Sequence, residues 1–452
     1  MNDMVEADLI IKGGKVFYEG DFIEGGVAIV DDKILKVGKD SKLPAAPERI
    51  DAEGKLIMPG LIDLEATLPP FETTGSEDFR SLTMAAVHGG FTTIFLTPDS
   101  RHAIIELSDL MDIMEDAAGN IFTDLGVFGS LFPTSKNRNL GRFVYGLWGS
   151  TVAINADLRS DLKEIIDVVN KPMDVPVFLR ITDIVRNIGE PIGSNSSNVN
   201  LFYSGRNSNL ERSMIETFLR EYSWSNKIAL LRVSLSESIL RVKALDSRRG
   251  RVQSIVPVIY MFIPKKKAMK LGCIGLMSPP PRDDVEIAEL IQRLVNGDVA
   301  MVCSGHEPIP KSVKSELVIP GVPTIDVTLR MLLTLAKRGL VSLQLIPEVL
   351  SRKPARFLEL KDRGVISEGY KADLIIVEHR KDLVYDSRMS FNAVEYSPLD
   401  GELLCGYVTH VFKRGSLIYE DGSFLSNFGS GKVLLRSLVE DKKIEGDEMG
   451  LT

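Results

Sequence analysis

Between Ile57 and Arg363, short apolar strand-like runs alternate with helical stretches, and no other feature constrains the fold of this chain as strongly. The runs are Phe91 to Leu96, Val175 to Leu179, Ile228 to Val233, Val252 to Tyr260 and Val299 to Cys303. Strands separated by helices predict βα units and a parallel sheet. About 300 residues of such alternation suit a closed eight-fold barrel with insertions. The full chain has 452 residues, roughly three times a 150-residue domain, which leaves room for one large barrel and a smaller module.

Both ends differ from this middle. Residues 7 to 57 read as short alternating strands with turns at Gly13-Gly14, Glu19-Gly20, Gly25-Gly26 and Asp31-Asp32. After Gly364 the texture returns: Ala372-Asp373-Leu374-Ile375-Ile376 resembles Ala7-Asp8-Leu9-Ile10-Ile11, and Val408 to Gly422 resembles Gly14 to Gly20. The expected architecture is α/β, a TIM-type (β/α)8 barrel over 58–363 beside a small composite β-sandwich built by 1–57 and 364–430. Residues 431–452 are expected to form a charged C-terminal tail. Asn187 to Asn209 and Pro279-Pro280-Pro281 read as surface loops, with a lid over the barrel as the alternative for the first.

Composition narrows the classes of function. Hydrophobic residues make up 44% and charged residues 26%, which excludes a disordered chain and predicts a sizeable core. With 54 Lys and Arg against 62 Asp and Glu, the net charge of −8 gives no general footprint for nucleic acid or an anionic membrane, and neither is an expected partner. Cys273, Cys303 and Cys405 are isolated and lack CxxC spacing, so neither a disulfide framework nor a thiolate metal site is supported. An N-terminus without an apolar signal core, and no apolar run of membrane length, complete the expectation of a cytoplasmic protein. Histidine is scarce, with only His88, His102, His306, His379 and His410.

The junction Ile57-Met58-Pro59-Gly60-Leu61-Ile62-Asp63 resembles the start of the barrel in the amidohydrolase superfamily, specifically the dihydroorotase, allantoinase and dihydropyrimidinase group. Gly89-Gly90-Phe91-Thr92-Thr93 is similar to that family's second strand, and Ser278-Pro279-Pro280-Pro281-Arg282 to its Asn-Pro-Pro-x-Arg loop. Pro354-Ala355-Arg356, Gly369 to Leu374 and Tyr396-Ser397-Pro398-Leu399-Asp400-Gly401 continue the likeness through the exit from the barrel.

The resemblance implies hydrolysis of a cyclic amide by one or two divalent metals, usually zinc, which polarise the carbonyl and acidify a bridging water. The implied cage is a His-x-His pair on strand 1, a carboxylated Lys on strand 4, single His residues on strands 5 and 6, and an Asp on strand 8. Residues i and i+2 of a strand face the same way, which is why both imidazoles of the pair reach the barrel mouth. Here the aligned positions are Glu65 and Thr67, Arg180, Arg232 and Gly305. Thr151 to Asn155, around strand 4, offers no Lys, and two further family positions read Pro69 and Ile309. A guanidinium about 4 Å from a divalent ion, at an effective dielectric of about 20, is repelled by about 8 kcal/mol. No metal and no other cofactor is therefore expected, although the family carries zinc.

Two readings of function follow. One is a dihydroorotase-like homologue whose zinc cage has been replaced, catalytically inactive and kept for assembly or regulation, as a homo-oligomer or with a pyrimidine-pathway enzyme as partner. The other is an active dihydroorotase or related hydrolase that opens a cyclic amide C–N bond in pyrimidine biosynthesis by a non-standard site. Candidate catalytic residues are His306, Glu307 and Asp63. Glu65, Thr67, Arg180, Arg232 and Gly305 read as a structural ion cluster or as a pocket for a small anionic ligand, and Ser278 and Arg282 as the remnant of a substrate loop. Two arginines projected into one barrel mouth need compensation, so Glu65 is expected within salt-bridge distance of Arg180 or Arg232. The run Lys265-Lys266-Lys267 reads as a solvated face.

Overall fold

The computed structural model of the chain describes residues 6–69, 77–97, 104–131, 143–149, 166–167, 169–173, 175–180, 199, 202–203, 208–223, 226–246, 251–317 and 319–436. His102, the stretch Thr151 to Asn155, most of Asn187 to Asn209 and the tail beyond 436 lie outside the described residues.

The chain opens with β1 (Leu9–Tyr18), β2 (Asp21–Val30), β3 (Lys33–Gly38), β4 (Glu48–Asp51) and β5 (Leu56–Pro59). Eight barrel strands follow: β6 (Leu61–Ala66), β7 (Phe91–Leu96), β8 (Asp124–Leu131), β9 (Gly146–Gly149), β10 (Val177–Leu179), β11 (Ile228–Leu230), β12 (Val252–Pro257) and β13 (Met301–Cys303). Each pairs parallel with the next. Closure comes from a parallel bridge between Ala66 and His306, where the Thr67 amide donates to the His306 carbonyl at 2.9 Å. Helices such as Phe79–His88 and Asp284–Val295 lie between the strands and bury Leu82, Ala85 and Ala86, and Leu290 and Leu294.

Two apolar runs are shorter as strands than as sequence. Ile228 to Val233 stops pairing at Leu230, because Arg232 takes a left-handed backbone with φ 55°. Val252 to Tyr260 leaves the sheet at Pro257, which has no amide hydrogen to extend the ladder, and continues as a 3-10 turn over Val258–Met261.

After the barrel come β14 (Leu374–Val384), β15 (Leu403–Lys413), β16 (Ser416–Glu420) and β17 (Ser423–Phe424). They join β1 to β5 in one nine-stranded sheet, ordered β17-β16-β15-β14-β5-β1-β2-β3 with β4 on β1. The seam between the two ends is the antiparallel pairing of Leu374 to Val377 with Pro59 to Leu56. Ile11, Val27 and Ile57 from one end share a buried cluster with Leu374, Ile376 and Phe412 from the other. The β-sandwich module is thus composite, beside a (β/α)8 barrel.

A buried charge hub fastens module to barrel. Asp124, at the start of β8, takes Arg363 at 2.7 Å, Arg414 at 2.7 Å and Lys413 at 2.9 Å, and Lys413 also reaches Asp373 at 3.0 Å. Burial would raise the Asp124 carboxyl, but these three cations hold it well below the ordinary carboxylate range. Within the stretch expected as the tail, β18 (Val433–Leu434) adds to β8 beside Leu125 and Gly126.

The barrel interior is packed rather than open. Ile62, Leu64, Phe95, Phe128, Phe178, Leu231 and Met301 fill it, and Phe357, Leu358 and Leu360 belong to the same cluster. Phe128 and Phe178 pack with centroids 4.4 Å apart and planes tilted by 32°, and Phe357 meets Phe178 edge-on at 5.5 Å. Polar side chains therefore gather above this plug, at the C-terminal ends of the strands.

Candidate functional site

Four strand ends converge at the barrel mouth. Glu65 lies within β6, Arg180 directly follows β10, Arg232 lies just past β11, and Gly305 to Glu307 follow β13. The pairing of β6 with β7 slips between Asp63 and Ala66, so β6 carries an extra residue there. This bulge lets Leu64 join the interior plug while Glu65 still turns into the mouth.

Arg232 is the hub. Its Nε donates to Glu65 Oε1 at 2.5 Å, and its Nη1 donates to the Ser278 carbonyl at 2.9 Å and to Glu307 Oε2 at 3.0 Å. Arg180 Nη2 lies 3.8 Å from the same Glu307 oxygen. The side chains of Glu65 and Arg232 are 0% and 3% exposed, so these charges meet almost without water. Burial would lower the Arg232 pKa, but Glu65 and Glu307 raise it well above its ordinary value and keep the guanidinium charged. A left-handed backbone is uncommon for so long a side chain, and three acceptors from separate elements hold it there.

The remaining candidates serve other partners. Thr67 Oγ1 faces Thr97 Oγ1 at 3.0 Å, just past the end of β7. Asp63 accepts from the Ser304 amide at 2.7 Å and hydroxyl at 2.5 Å, tying strand 1 to strand 8. Burial pushes its carboxyl up to about 6 against the pull of those Ser304 hydrogen bonds. His306 and Glu307 are not hydrogen-bonded to each other. His306 Nδ1 accepts from the amides of Thr324 and Ile325 at 3.1 and 3.3 Å, which leaves the proton on Nε2. Burial depresses that imidazole to about 4, so it is neutral near pH 7.

Ser278 takes part through its carbonyl, and Arg282 points elsewhere. The Arg282 guanidinium donates to Ser234 Oγ at 2.8 Å and to Glu211 at 3.1 Å, within a network that ties helix Ser208–Glu221 to the loop after β11. Two further residues belong to the mouth: Cys303, an isolated thiol in the sequence, whose Sγ donates to Glu65 Oε2 at 3.3 Å, and Lys314. Cys303 lies two residues before Gly305 on the last strand, a spacing that could have flagged it; nothing in the sequence singles out Lys314. Lys314 Nζ donates to the carbonyls of Ile274, Leu276 and Gly321 at 3.3, 3.2 and 2.5 Å, joining the loops after β12 and β13. Beside the cluster lies a small pocket lined by Arg232, Tyr260, Ser278, Gly305, Glu307 and Val322 among others.

The donor set does not fit the family's zinc. Of the five aligned positions only Glu65 offers a carboxylate, and that carboxylate already holds a guanidinium; Thr67 is turned to Thr97. Gly305 supplies no side chain, and with φ 63° a Cβ there would lie 2.8 Å from Pro257 Cβ. Among the described residues, no group of three or more His, Cys, Asp and Glu is placed to hold a metal ion. Nor is any helix among them long and apolar enough to cross a membrane.

No family model matches the chain. The dihydroorotase of Aquifex aeolicus is 24% identical over 433 residues, covering 91% of this chain and 99% of that protein. The dihydroorotase of Pyrococcus abyssi is 27% identical over 423 residues, covering 91% and 95%. Among solved structures, L-hydantoinase (dihydropyrimidinase) from Arthrobacter aurescens superposes with a TM-score of 0.82 at 19% identity, over 95% of this chain and all 100% of that one. Dihydropyrimidinase from Brevibacillus agri gives 0.78 at 21% identity, over 94% and 98%. The structural likeness bears on the fold alone, and the full-length sequence likeness to dihydroorotases supports the amidohydrolase superfamily as the family of this chain.

Proposed function

We propose that this chain is a cyclic-amidohydrolase relative in which an internal ion cluster has replaced the hydrolytic metal, and that it serves assembly or regulation rather than turnover. A pyrimidine-pathway enzyme is the partner class this reading favours, since the full-length relatives are named dihydroorotase. The observation that carries it is the Arg232 guanidinium, bonded to Glu65, Ser278 and Glu307 at the aligned strand-6 ligand position. A metal ion beside that fixed positive charge would be repelled by several kcal/mol. The other acid and base candidates support the same reading. Asp63 is engaged by Ser304, and His306 is a neutral, fully buried acceptor of backbone amides.

The deciding experiment is elemental analysis of the purified protein together with ring opening of dihydroorotate, with and without added zinc. The expected result is substoichiometric zinc and negligible turnover in both conditions. Near-stoichiometric zinc, or turnover that zinc stimulates, would return the chain to the metal-dependent hydrolases. Turnover independent of zinc would instead favour the non-standard site.

A further inference from the structure

We propose that the end of the β14–β15 hairpin, with helix Lys265–Lys270 beside it, is a docking face for an acidic segment of a protein partner that sets apolar side chains among carboxylates. The inference rests on the assembly reading above and deepens it by naming the chemistry of the partner's surface.

The face is apolar at its centre. Val384 and Leu403 stand opposite each other in the β14–β15 register and are 63% and 55% exposed, and Met389, on the turn that follows β14, is 75% exposed. Single exposed apolar side chains are ordinary, but here two are cross-strand neighbours and a third lies a few residues on. The hairpin end is also braced from within. Arg330 Nη2 donates to the Leu383 and Leu404 carbonyls at 2.9 and 3.4 Å, and the Tyr385 amide donates to the Glu402 carbonyl at 2.8 Å. A face held in this way loses little entropy on binding.

Cations border this centre. Lys267 Nζ reaches Glu402, the residue before Leu403, at 2.6 Å, which sets helix Lys265–Lys270 against the hairpin. Lys337, at the end of helix Thr328–Lys337, takes Asp382 at 2.7 Å, and the neighbouring Arg338 guanidinium lies 5.3 Å from the centroid of the Phe262 ring, three residues before Lys265. Arg388 holds Asp386 at 2.6 Å, and Asp400 accepts from the Ser387 amide and hydroxyl. The carboxylates of the hairpin end are thus engaged. Lys266, Lys270 and Arg338 are exposed and have no carboxylate within salt-bridge distance among the described residues. The positive border ends at Lys265, whose amide donates to the Arg282 carbonyl, next to Asp283 and Asp284.

This pattern selects the occupant. An apolar centre inside a positive border suits Leu or Val carried between Asp and Glu. A second copy docking through a twofold axis would oppose these cations to themselves. Neither a bilayer nor single-stranded nucleic acid finds an exposed aromatic ring on this hairpin, since Tyr385 is buried and Phe262 lies under Arg338.

The test measures, by calorimetry, the binding of three synthetic peptides of equal length to the full chain. One sets two leucines among glutamates, the second replaces those leucines by serine, and the third replaces the glutamates by lysine. The first is expected to bind at least about tenfold more tightly than either of the others, and more weakly as salt rises from about 50 to about 300 mM. Val384→Thr with Leu403→Thr keeps strand-forming residues and is expected to remove the advantage of the leucines. Lys266→Glu with Lys270→Glu is expected to remove the preference for glutamate. All four positions are exposed, so both double variants are expected to melt near the parent; if one pair does not fold, the other still decides. Equal binding of the leucine and serine peptides, or binding unchanged in a folded double variant, overturns the proposal. So does tight binding of phosphatidylglycerol vesicles or polyuridine RNA in place of the acidic peptide. Stoichiometric zinc in the parent would defeat the assembly reading and leave these measurements standing, whereas flat peptide binding by zinc-free, inactive protein defeats only this inference.

Discussion

Arg232 and Glu65 form a buried ion pair at 2.5 Å, across the barrel mouth from the sixth barrel strand to the first. In the family this chain resembles, a metal joins those strands; here a guanidinium does, and it carries its own tether. Buried pairs are weak evidence of net stability, because desolvation offsets much of the attraction. Breaking one is a different matter.

Glu65→Ala leaves the buried Arg232 with one carboxylate fewer, and the expected loss of stability is about 3 to 5 kcal/mol. Replacing both residues, as Glu65→Leu with Arg232→Gly, is expected to cost less than the sum of the single changes. Glycine suits the left-handed backbone at 232, and Glu307, which loses Arg232, keeps Arg180 at 3.8 Å. Chemical denaturation of the parent, both single variants and the double variant checks this. Additive losses would show that the two residues are not coupled.

Restoring the family's strand-8 carboxylate should fail. In Gly305→Asp the new Cβ would lie 2.8 Å from Pro257 Cβ and 4.0 Å from Glu65 Oε2, on a backbone with φ 63°. Steric overlap, left-handed strain and like-charge repulsion act together, and a loss above about 2 kcal/mol with no gain in zinc binding is expected. Melting curves with and without zinc decide it, and a stabilised, zinc-binding variant would contradict the expectation.

The pH dependence of Asp63 has a definite sign. Its carboxyl is raised from an ordinary 3.8 to about 6 by burial, so the folded state holds a proton that the unfolded state releases. The stability this adds is fully present below about pH 4 and is lost as the pH rises through about 6. His306, depressed to about 4, works in the opposite direction over much of the same range, so the comparison must be between parent and Asp63→Asn. The parent is expected to gain stability relative to the variant as the pH falls from 7 to 4, by a few kcal/mol in all. Parallel melting profiles for the two proteins would rule out the shift.

The barrel and the composite module were legible because they rest on patterns that repeat: apolar runs at βα spacing, and a β texture shared by the two ends. The meeting of Glu65 with Arg232 was legible too, since like-placed strand ends in a closed barrel face one mouth. Thr67 was not, because the i, i+2 rule says that a residue faces the mouth but not which neighbour it will bond, and Thr97 stood closer. The bulge at Leu64 and Glu65 has no marker in sequence; it appears only as a slip in the pairing with β7. Glu307 reads as a catalytic candidate beside His306 in the sequence, but the fold separates their roles. Adjacent residues on extended chain point apart, and the two side chains serve different sides of the strand. Lys314 and β18 depend on contacts between distant segments that local spacing does not encode.

Lys314 offers the sharpest test of how the mouth is held open. Its side chain is fully buried, its Nζ donates to three backbone carbonyls, and it lies 5.4 Å from the centroid of the Tyr396 ring. Two of those carbonyls, of Ile274 and Leu276, precede the pocket residues Met277 and Ser278, and the third belongs to Gly321, itself in the pocket wall. In Lys314→Met the apolar stem remains but the donors do not. Buried carbonyls left without a donor cost about 1 to 3 kcal/mol apiece, softened where a second donor remains, as the Gly321 amide does for Leu276 at 3.0 Å. The effect should be local as well as global. The amides of Gly321 and Glu307 bond to the Leu276 and Val322 carbonyls, and both are expected to exchange with deuterium faster in the variant, while the barrel-strand amides of Ile94 and Phe95 keep their relative protection. Uniform loss of protection across the barrel would mean that Lys314 supports the whole fold rather than the two loops. Unchanged exchange at Gly321 and Glu307 would mean that the loops hold their positions without it.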